Sequence, residues 1–358
     1  MCELSLSRNR FAIVNQLDNN NGSFYFLKMI YTYPEKLEQF KSMSTVLDMV
    51  QFLSIRVNEL DQLVINSPYY TFEIPKKSGG VRIITAPEEA LKKVQQTILK
   101  QLAEIYPKPS SVYGFVAMDD SEELVCPIVA NAANHVNKKY ILTVDIKYFF
   151  ESIKTKAVFQ FFTSAPFHFP EKIALILTRL TTYKGCLPTG APTSPMVSNF
   201  IMQPFDKQLE VFARANDCVY TRYADDLTFS SNEAFSMDFL ENLKTIINPF
   251  ELNPNKTRIK MQSQKQKVTG ILVNEKVNVD RTFVKQLRAM LHDLKMNGVQ
   301  KASFNHFKKA NHESFFINRL RGNITFLGQV RGQLDEQYLK YYSEFHQMVI
   351  KNRVIRSK

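Results

Sequence analysis

The sequence predicts an α+β chain of two or three subdomains, and three observations carry that reading. Two β-prone runs, Val219-Tyr220-Thr221-Arg222 and Leu227-Thr228-Phe229-Ser230, flank Tyr223-Ala224-Asp225-Asp226 as the arms of a hairpin flank its tip. Residues 140–145, Tyr-Ile-Leu-Thr-Val-Asp, form a short apolar and β-branched run that ends in a carboxylate, the pattern of a buried strand. Helical spacing recurs upstream, through Val46, Leu47, Val50, Leu53, Val57, Leu60 and Val64, and the final third reads as helix. At 358 residues the chain exceeds one ordinary core, and 44% hydrophobic residues are enough to build more than one.

Residues 1–40 are the least readable. Phe24-Tyr25-Phe26-Leu27 is apolar but Lys28 interrupts it, which predicts neither a signal peptide nor a membrane span. Ser44 to Leu63 predicts one or two helices. Tyr70 to Ile84 predicts a hairpin: Phe72 and Ile74 alternate, Lys76-Lys77-Ser78-Gly79-Gly80 turns, and Val81, Ile83 and Ile84 return. Glu88 to Tyr106 reads as a helix, and residues 140–145 as the strand that delivers Asp145. Leu187-Pro188-Thr189-Gly190-Ala191-Pro192-Thr193-Ser194-Pro195 forces an irregular loop, with Ser194-Pro195 as N-cap and first turn of the next helix. Beyond the hairpin around Asp225, Asn253 to Ile259 turns through Pro254 into a strand, and Lys267 to Val279 suggests a further hairpin. In the helix at 285–297, at about 100° per residue, Leu287, Met290, Leu291 and Leu294 share one side while Lys285, Arg288, His292 and Lys295 take the other.

Charge is unevenly spread. Residues 253–358 hold 21 Lys+Arg against 7 Asp+Glu, while residues 1–252 hold 25 against 27, so the whole excess behind the +12 total lies in the last module. A basic stripe confined to one module is the footprint expected for a phosphate backbone, the alternative being an ordinary solvated face. Cys2, Cys126, Cys186 and Cys218 show no CxxC spacing, which predicts neither a zinc site nor a disulfide framework and fits a reducing cytoplasm.

A pair of aspartates at a turn is by itself ordinary turn chemistry. Here Asp145 ends a strand 80 residues upstream, with the proline-glycine loop between, so a fold could gather three carboxylates. Like charges held together cost energy unless a cation offsets them, and hard divalent ions such as Mg²⁺ prefer carboxylate oxygens.

With these residues in order the chain resembles reverse transcriptases, and within them the bacterial retron type. Asn131-Ala132-Ala133-Asn134-His135 matches the retron NAxxH motif, Val268-Thr269-Gly270 matches the VTG triplet, and Ser67 to Arg82 resembles the retron entry into the fingers. The resemblance covers roughly residues 45–340. It implies a right-hand polymerase: an N-terminal helical extension over 1–65, fingers and palm with a mixed or antiparallel sheet over 66–280, and a basic α-helical thumb over 281–358. It implies RNA-directed DNA synthesis on a cognate structured noncoding RNA, yielding single-stranded DNA covalently joined to that RNA (msDNA), primed from a guanosine 2′-OH. It also implies deoxynucleoside triphosphates as substrates, two Mg²⁺ ions, no membrane, and a role in antiphage defence with an effector protein encoded nearby.

The resemblance assigns residues as well. Asp145 and Asp225 would bridge Mg²⁺ with the Ile146 carbonyl, and Asp226 would assist. Arg82 and Lys76 would grip the triphosphate, Lys77 being a further candidate. Phe150, five residues after Asp145, would press on the ribose and exclude a 2′-OH, where the alternative is a core side chain like Phe149. Lys256 resembles the family's downstream lysine near the triphosphate, the alternative being a solvated strand lysine. Thr189 departs from the Gln many relatives carry, which bears on affinity and fidelity, and Gly190 with Pro192 would shape the loop beneath the nascent pair. Asn131 and His135 would hydrogen-bond the chain or RNA, and Val268, Thr269, Gly270, Lys285, Arg288 and Lys295 would meet RNA or primer. Two competing readings remain at this level: a bacterial reverse transcriptase using a 3′-OH primer, and an RNA-binding scaffold that restrains an effector with little polymerisation.

Overall fold

The structure, a computed structural model, describes residues 33–76, 79–116, 126–307 and 313–356. The readings that fall on residues 1–32, Cys2 among them, and on Lys77 lie outside the described residues.

The periodic stretch beginning at Ser44 resolves into two helices, preceded by α1 (Tyr33–Lys41). Thr45 starts α2 (Val46–Leu53) with a capping box: its hydroxyl accepts from the Asp48 N–H and the Asp48 carboxylate accepts from the Thr45 N–H. Ser54, at φ 56°, ends that helix, and α3 (Val57–Asn66) follows. The predicted hairpin is β1 (Tyr69–Pro75) with β2 (Val81–Pro87), paired antiparallel with Ile74 opposite Arg82. Gly79 and Gly80 make its turn possible, both at positive φ where side chains are strained. Then come α4 (Glu89–Ile105) and α5 (Pro127–Ala133).

The next strand, β3 (Tyr140–Asp145), leads into α6 (Phe149–Ser152), α7 (Thr155–Thr163) and α8 (Glu171–Thr181). The proline-glycine loop runs into α9 (Ser194–Ala215), where one detail differs from the sequence reading. Thr193 holds the N-cap position, and the Ser194 hydroxyl turns back to donate to the Pro188 carbonyl at 2.7 Å, closing the loop on itself rather than capping the helix. After α9, β4 (Val219–Tyr223) and β5 (Asp226–Ser231) form the hairpin around Asp225. The chain continues through α10 (Met237–Ile246), β6 (Arg258–Met261), the two-residue strands β7 (Lys267–Val268) and β8 (Ile271–Leu272), and three long helices. These are α11 (Arg281–Phe307), broken at Gly298, then α12 (Glu313–Arg331) and α13 (Glu336–Arg356).

The main sheet is antiparallel, in the order β4-β5-β3-β6. Its register sets Asp145 directly opposite Asp226, and Asp226 opposite Tyr223. Two hydrophobic cores flank the sheet. One joins α1–α4 to the inner faces of α7–α9 and the sheet, through Phe40, Phe52, Phe162, Leu177, Met202 and Phe229, each essentially buried. Burying a side chain of that size contributes about 1.5–3 kcal/mol. The other core gathers Val268, Ile271, Leu287, Leu291, Phe316, Leu320 and Leu327 with Val129 and Ile141. The apolar side expected for residues 285–297 faces this second core, and Lys285, Arg288, His292 and Lys295 are exposed. Among the described residues no helix is long and apolar enough to cross a membrane.

Candidate active site

The β4–β5 hairpin turns through Ala224 and Asp225, with Ala224 at φ 58°, a left-handed conformation that costs an alanine energy and persists only where neighbours enforce it. The enforcing residue is Arg222, fully buried one position before Tyr223. Its Nη1 donates to the Ala224 carbonyl at 3.2 Å and to Asn199 Oδ1 at 3.0 Å. Its Nε and Nη2 donate to the two carboxylate oxygens of Asp206 at 2.8 and 2.7 Å, and the Tyr220 hydroxyl donates to Asp206 as well. Burial opposes the guanidinium's charge, but Asp206 outweighs it and holds the group above its ordinary range.

From the other side, residues 111–114 run alongside β4. The Arg222 N–H donates to the Ser111 carbonyl, the Tyr113 N–H donates to the Arg222 carbonyl, and Asn199 Nδ2 donates to the Gly114 carbonyl at 2.9 Å. A Cβ at Gly114 would run into the backbone of Ala224 and Tyr223, so only glycine allows this approach. Arg222, Asp206, Asn199 and Gly114 hold the turn, and sequence reasoning missed them. An arginine inside a β-prone run beside two aspartates was the available signal.

Asp145 arrives from β3 and is 3% exposed. The Ile146 N–H donates to the Asp225 carbonyl at 3.0 Å, tying the end of β3 to the hairpin tip, and Ile146 pairs with Leu252 on its other side. The Asp145 carboxylate accepts from Lys256 Nζ at 2.6 Å and from Asn253 Nδ2 at 3.2 Å. Lys256 is raised above its usual range chiefly by that hydrogen bond. The carboxyls of Asp225 and Asp226 are held above the ordinary carboxylate range. Burial raises Asp225, with Asp145 adding to it and Lys256 and Arg82 opposing. Burial, then Asp225, then Asp145 raise Asp226 to about 6. Crowded carboxylates that resist ionisation are relieved by a cation, so the donor set fits a hard divalent ion. Among the described residues, however, no trio of His, Cys, Asp or Glu side chains is gathered in metal-binding geometry, and Lys256 is the cation in contact with Asp145.

The other predicted residues fall in three groups. Arg82 and Lys76 are exposed on the β1–β2 hairpin, and the loop after Leu187 straps that hairpin to the body. The Thr189 hydroxyl accepts from the Thr85 N–H at 3.0 Å and donates to the Ile83 carbonyl at 3.3 Å, so this hydroxyl is taken up by β2. The Gly190 N–H donates to the Thr85 carbonyl, and a Cβ there would sit 2.7 Å from that oxygen. Phe150 is half-buried, its ring centroid 5.4 Å from that of Phe149 and 6.2 Å from that of Phe115.

The third group lies away from the carboxylates. His135 has no exposed surface, and its two ring nitrogens sit 2.8 Å from the Ser230 hydroxyl and 2.7 Å from that of Thr221. Asn131 is 1% exposed. Of the two roles open to them, His135 bonds the chain, bridging β4 and β5, and both residues are buried. Burial holds the His135 ring near pKa 3, hence neutral. Val268 is buried, while Thr269 and Gly270 turn at positive φ with the Thr269 hydroxyl on the Ile128 carbonyl at 2.7 Å. Arg288 reaches the Tyr341 hydroxyl at 3.4 Å.

The family model described as reverse transcriptase (RNA-dependent DNA polymerase) matches residues 74–273, which holds all three carboxylates. The retron Mx65 reverse transcriptase of Myxococcus xanthus is 32% identical over 272 residues, covering 68% of this chain and 62% of that protein. The retron Ec86 reverse transcriptase of Escherichia coli is 28% identical over 324 residues, covering 88% and 94%. The retron Mx162 reverse transcriptase of Myxococcus xanthus is 29% identical, and this chain spans 57% of its length. A solved telomerase from Candida albicans, in complex with a fragment of telomeric RNA, overlaps 79% of this chain with a TM-score of 0.43 and 11% identity, a likeness too weak to carry weight. The family match covers more than half of the chain, carboxylate motif included, and the chain belongs to the reverse transcriptase (RNA-dependent DNA polymerase) family, with retron reverse transcriptases among its relatives.

Proposed function

We propose that this chain is a retron reverse transcriptase that copies a cognate structured RNA into DNA covalently joined to that RNA. The observation that carries the reading is the register of the central sheet, which sets Asp145 opposite Asp226 with Asp225 beside it in the β4–β5 turn. In this reading residues 66–280 supply fingers and palm, residues 281–358 the thumb, and residues 1–65 a helical extension. Asp145, Asp225 and the Ile146 carbonyl would hold two Mg²⁺ ions, with Asp226 in support. When bound, such ions polarise the phosphoryl oxygens and lower the pKa of the attacking hydroxyl.

The chain's own work is positioning. A primer hydroxyl attacks the α-phosphorus of a deoxynucleoside triphosphate, a new P–O bond forms as the bond from the α-phosphorus to the bridging oxygen breaks, pyrophosphate departs in line with the attacking oxygen, and the hydroxyl proton passes to solvent. Little covalent chemistry falls to the protein in phosphoryl transfer, and alignment with charge stabilisation supplies most of the rate. Arg82, on an exposed strand whose charge reaches Asp225, is suited to a bidentate grip on the triphosphate, with Lys76 beside it. Phe150 would bear on the ribose. Lys256 lies within reach of the reacting centre through Asp145. The exposed Lys285, Arg288 and Lys295 suit a phosphate backbone, and the turn at Val268-Thr269-Gly270 lies in the same core as α11. A guanosine 2′-OH primer, an effector protein encoded nearby and a role in antiphage defence are part of the same proposal, on the resemblance of the motifs to retron enzymes.

Purified Asp225→Asn tests the assignment. The expected result is loss of DNA synthesis on a primed RNA template, with RNA binding in a gel-shift assay and thermal unfolding close to wild type. Normal synthesis by the folded variant would remove Asp225 from the reaction.

A further inference from the structure

We propose that Phe115 is a second specificity residue for the sugar of the incoming nucleotide: it backs Phe150 and holds that ring against the position of a ribose 2′-OH. The proposal rests on the reading of Phe150 as the residue that meets the ribose. Excluding one oxygen atom by shape requires a wall that does not yield. Phe150 by itself is poorly placed to be one. It sits in α6, a helix of four residues, two positions after Tyr148 at φ 50°. Behind it lies Phe149, 5% exposed, whose ring is 5.4 Å away. Among the described residues its other ring neighbour is Phe115, at 6.2 Å with the planes inclined by 37°.

Phe115 is unusual in two independent ways. Its backbone lies at φ 61°, where a bulky side chain is rare and is kept only when the surroundings over-determine it. The residue is 41% exposed, although a strained backbone is what places it there. The surroundings that impose the conformation are those that fix the catalytic turn. Gly114 packs on the backbone of Ala224, its carbonyl accepts from Asn199, and Asn199 also accepts from Arg222, the residue that holds the Ala224 carbonyl. One buried network thus sets both the tip bearing Asp225 and the aromatic ring beside Phe150. Distance between a carboxylate and a sugar wall is what a polymerase must keep constant if it is to reject a hydroxyl while aligning a phosphorus.

The test is primer extension on an RNA template, with kcat/KM measured for a deoxynucleotide and its matching ribonucleotide in wild type, Phe150→Ala, Phe115→Ala and Phe115→Leu. The readout is a gain, which misfolding does not produce. Ribonucleotide kcat/KM should rise about tenfold in Phe115→Ala, of the order a lost steric contact brings, and less in Phe115→Leu. If Phe150→Ala admits ribonucleotides and neither Phe115 variant does, Phe115 has no part in sugar selection and the proposal fails alone. If Phe150→Ala leaves sugar selection unchanged, the reading of Phe150 fails and the proposal with it. A fall in both substrates alike in the Phe115 variants, as for a ring that stacks on the template, also overturns it. Should Phe115→Ala not fold, Phe115→Leu keeps most of the volume and decides the question.

Discussion

Two hairpins meet at this site and are built in opposite ways. β4–β5 is embedded: Tyr220, Thr221, Arg222, Leu227, Thr228 and Phe229 are buried, and the strands are sealed on one side by β3. β1–β2 is a free two-stranded ribbon on which Tyr70, Phe72, Ile74, Val81 and Ile83 stand exposed. The difference follows the work assigned to each. Carboxylates that gather charge must not move apart, and a buried ion pair with a fixed partner holds them. A strand that grips a substrate must leave room for it, and β1–β2 is fastened to the body at one edge, where Thr189 and Gly190 bond backbone atoms of Ile83 and Thr85.

Breaking the embedded hairpin should cost most. Asp206→Asn leaves the Arg222 guanidinium buried without its charge partner, which typically costs about 3–5 kcal/mol. Chemical denaturation should show that loss, and kcat should fall with it because the Ala224 carbonyl loses its fixed donor. A variant as stable as wild type would mean that the pair does not hold the turn. Matched truncations then sharpen the contrast. Leu227→Ala, at a fully buried position, should lose about 2–5 kcal/mol, while Ile83→Ala, 58% exposed on β2, should stay within about 0.5 kcal/mol. Equal losses at the two sites would erase the distinction between the hairpins.

A pH-dependent effect comes from His135, which spans Thr221 and Ser230 beneath the embedded hairpin. Its folded pKa is depressed to about 3 from 6.5, so its contribution is fully present above pH 6.5. Below that, the unfolded chain takes up a proton that the folded chain refuses, and stability falls with pH until the buried ring itself titrates. Linkage puts the loss at about 2 kcal/mol by pH 5. His135→Gln should flatten this slope in urea titrations at pH 7 and pH 5, and an unaltered slope would assign the pH dependence elsewhere.

The sequence displays the parts of this site that repeat along the chain and hides the parts that depend on distant partners. An apolar, β-branched run marks β3 to the residue, and two aspartates between β-prone arms mark the tip of β4–β5. The hairpin at β1–β2 is visible through its glycines. By contrast, Arg222 reads as a solvent-facing strand residue until Asp206, on another element, is known to neutralise it. Gly114 and Phe115 carry no signal of their own, because their neighbours Ala224 and Phe150 are far along the chain. His135 stands out as part of a motif, yet its burial between two hydroxyls from β4 and β5 cannot be read from residue type. The helices α1, α5, α6, α7, α8 and α10 escape the sequence reading, although α7, α8 and α10 each bury an apolar side at helical spacing.

The most direct test uses the gene with its flanking intergenic DNA, expressed as wild type beside Asp225→Asn, followed by extraction of small nucleic acids. A retron reverse transcriptase should leave a DNase-sensitive single-stranded DNA in the wild type alone, carrying a branched ribonucleotide after RNase trimming. No DNA in either strain, with soluble RNA-bound protein in both, would contradict that function and leave an RNA-binding scaffold in its place.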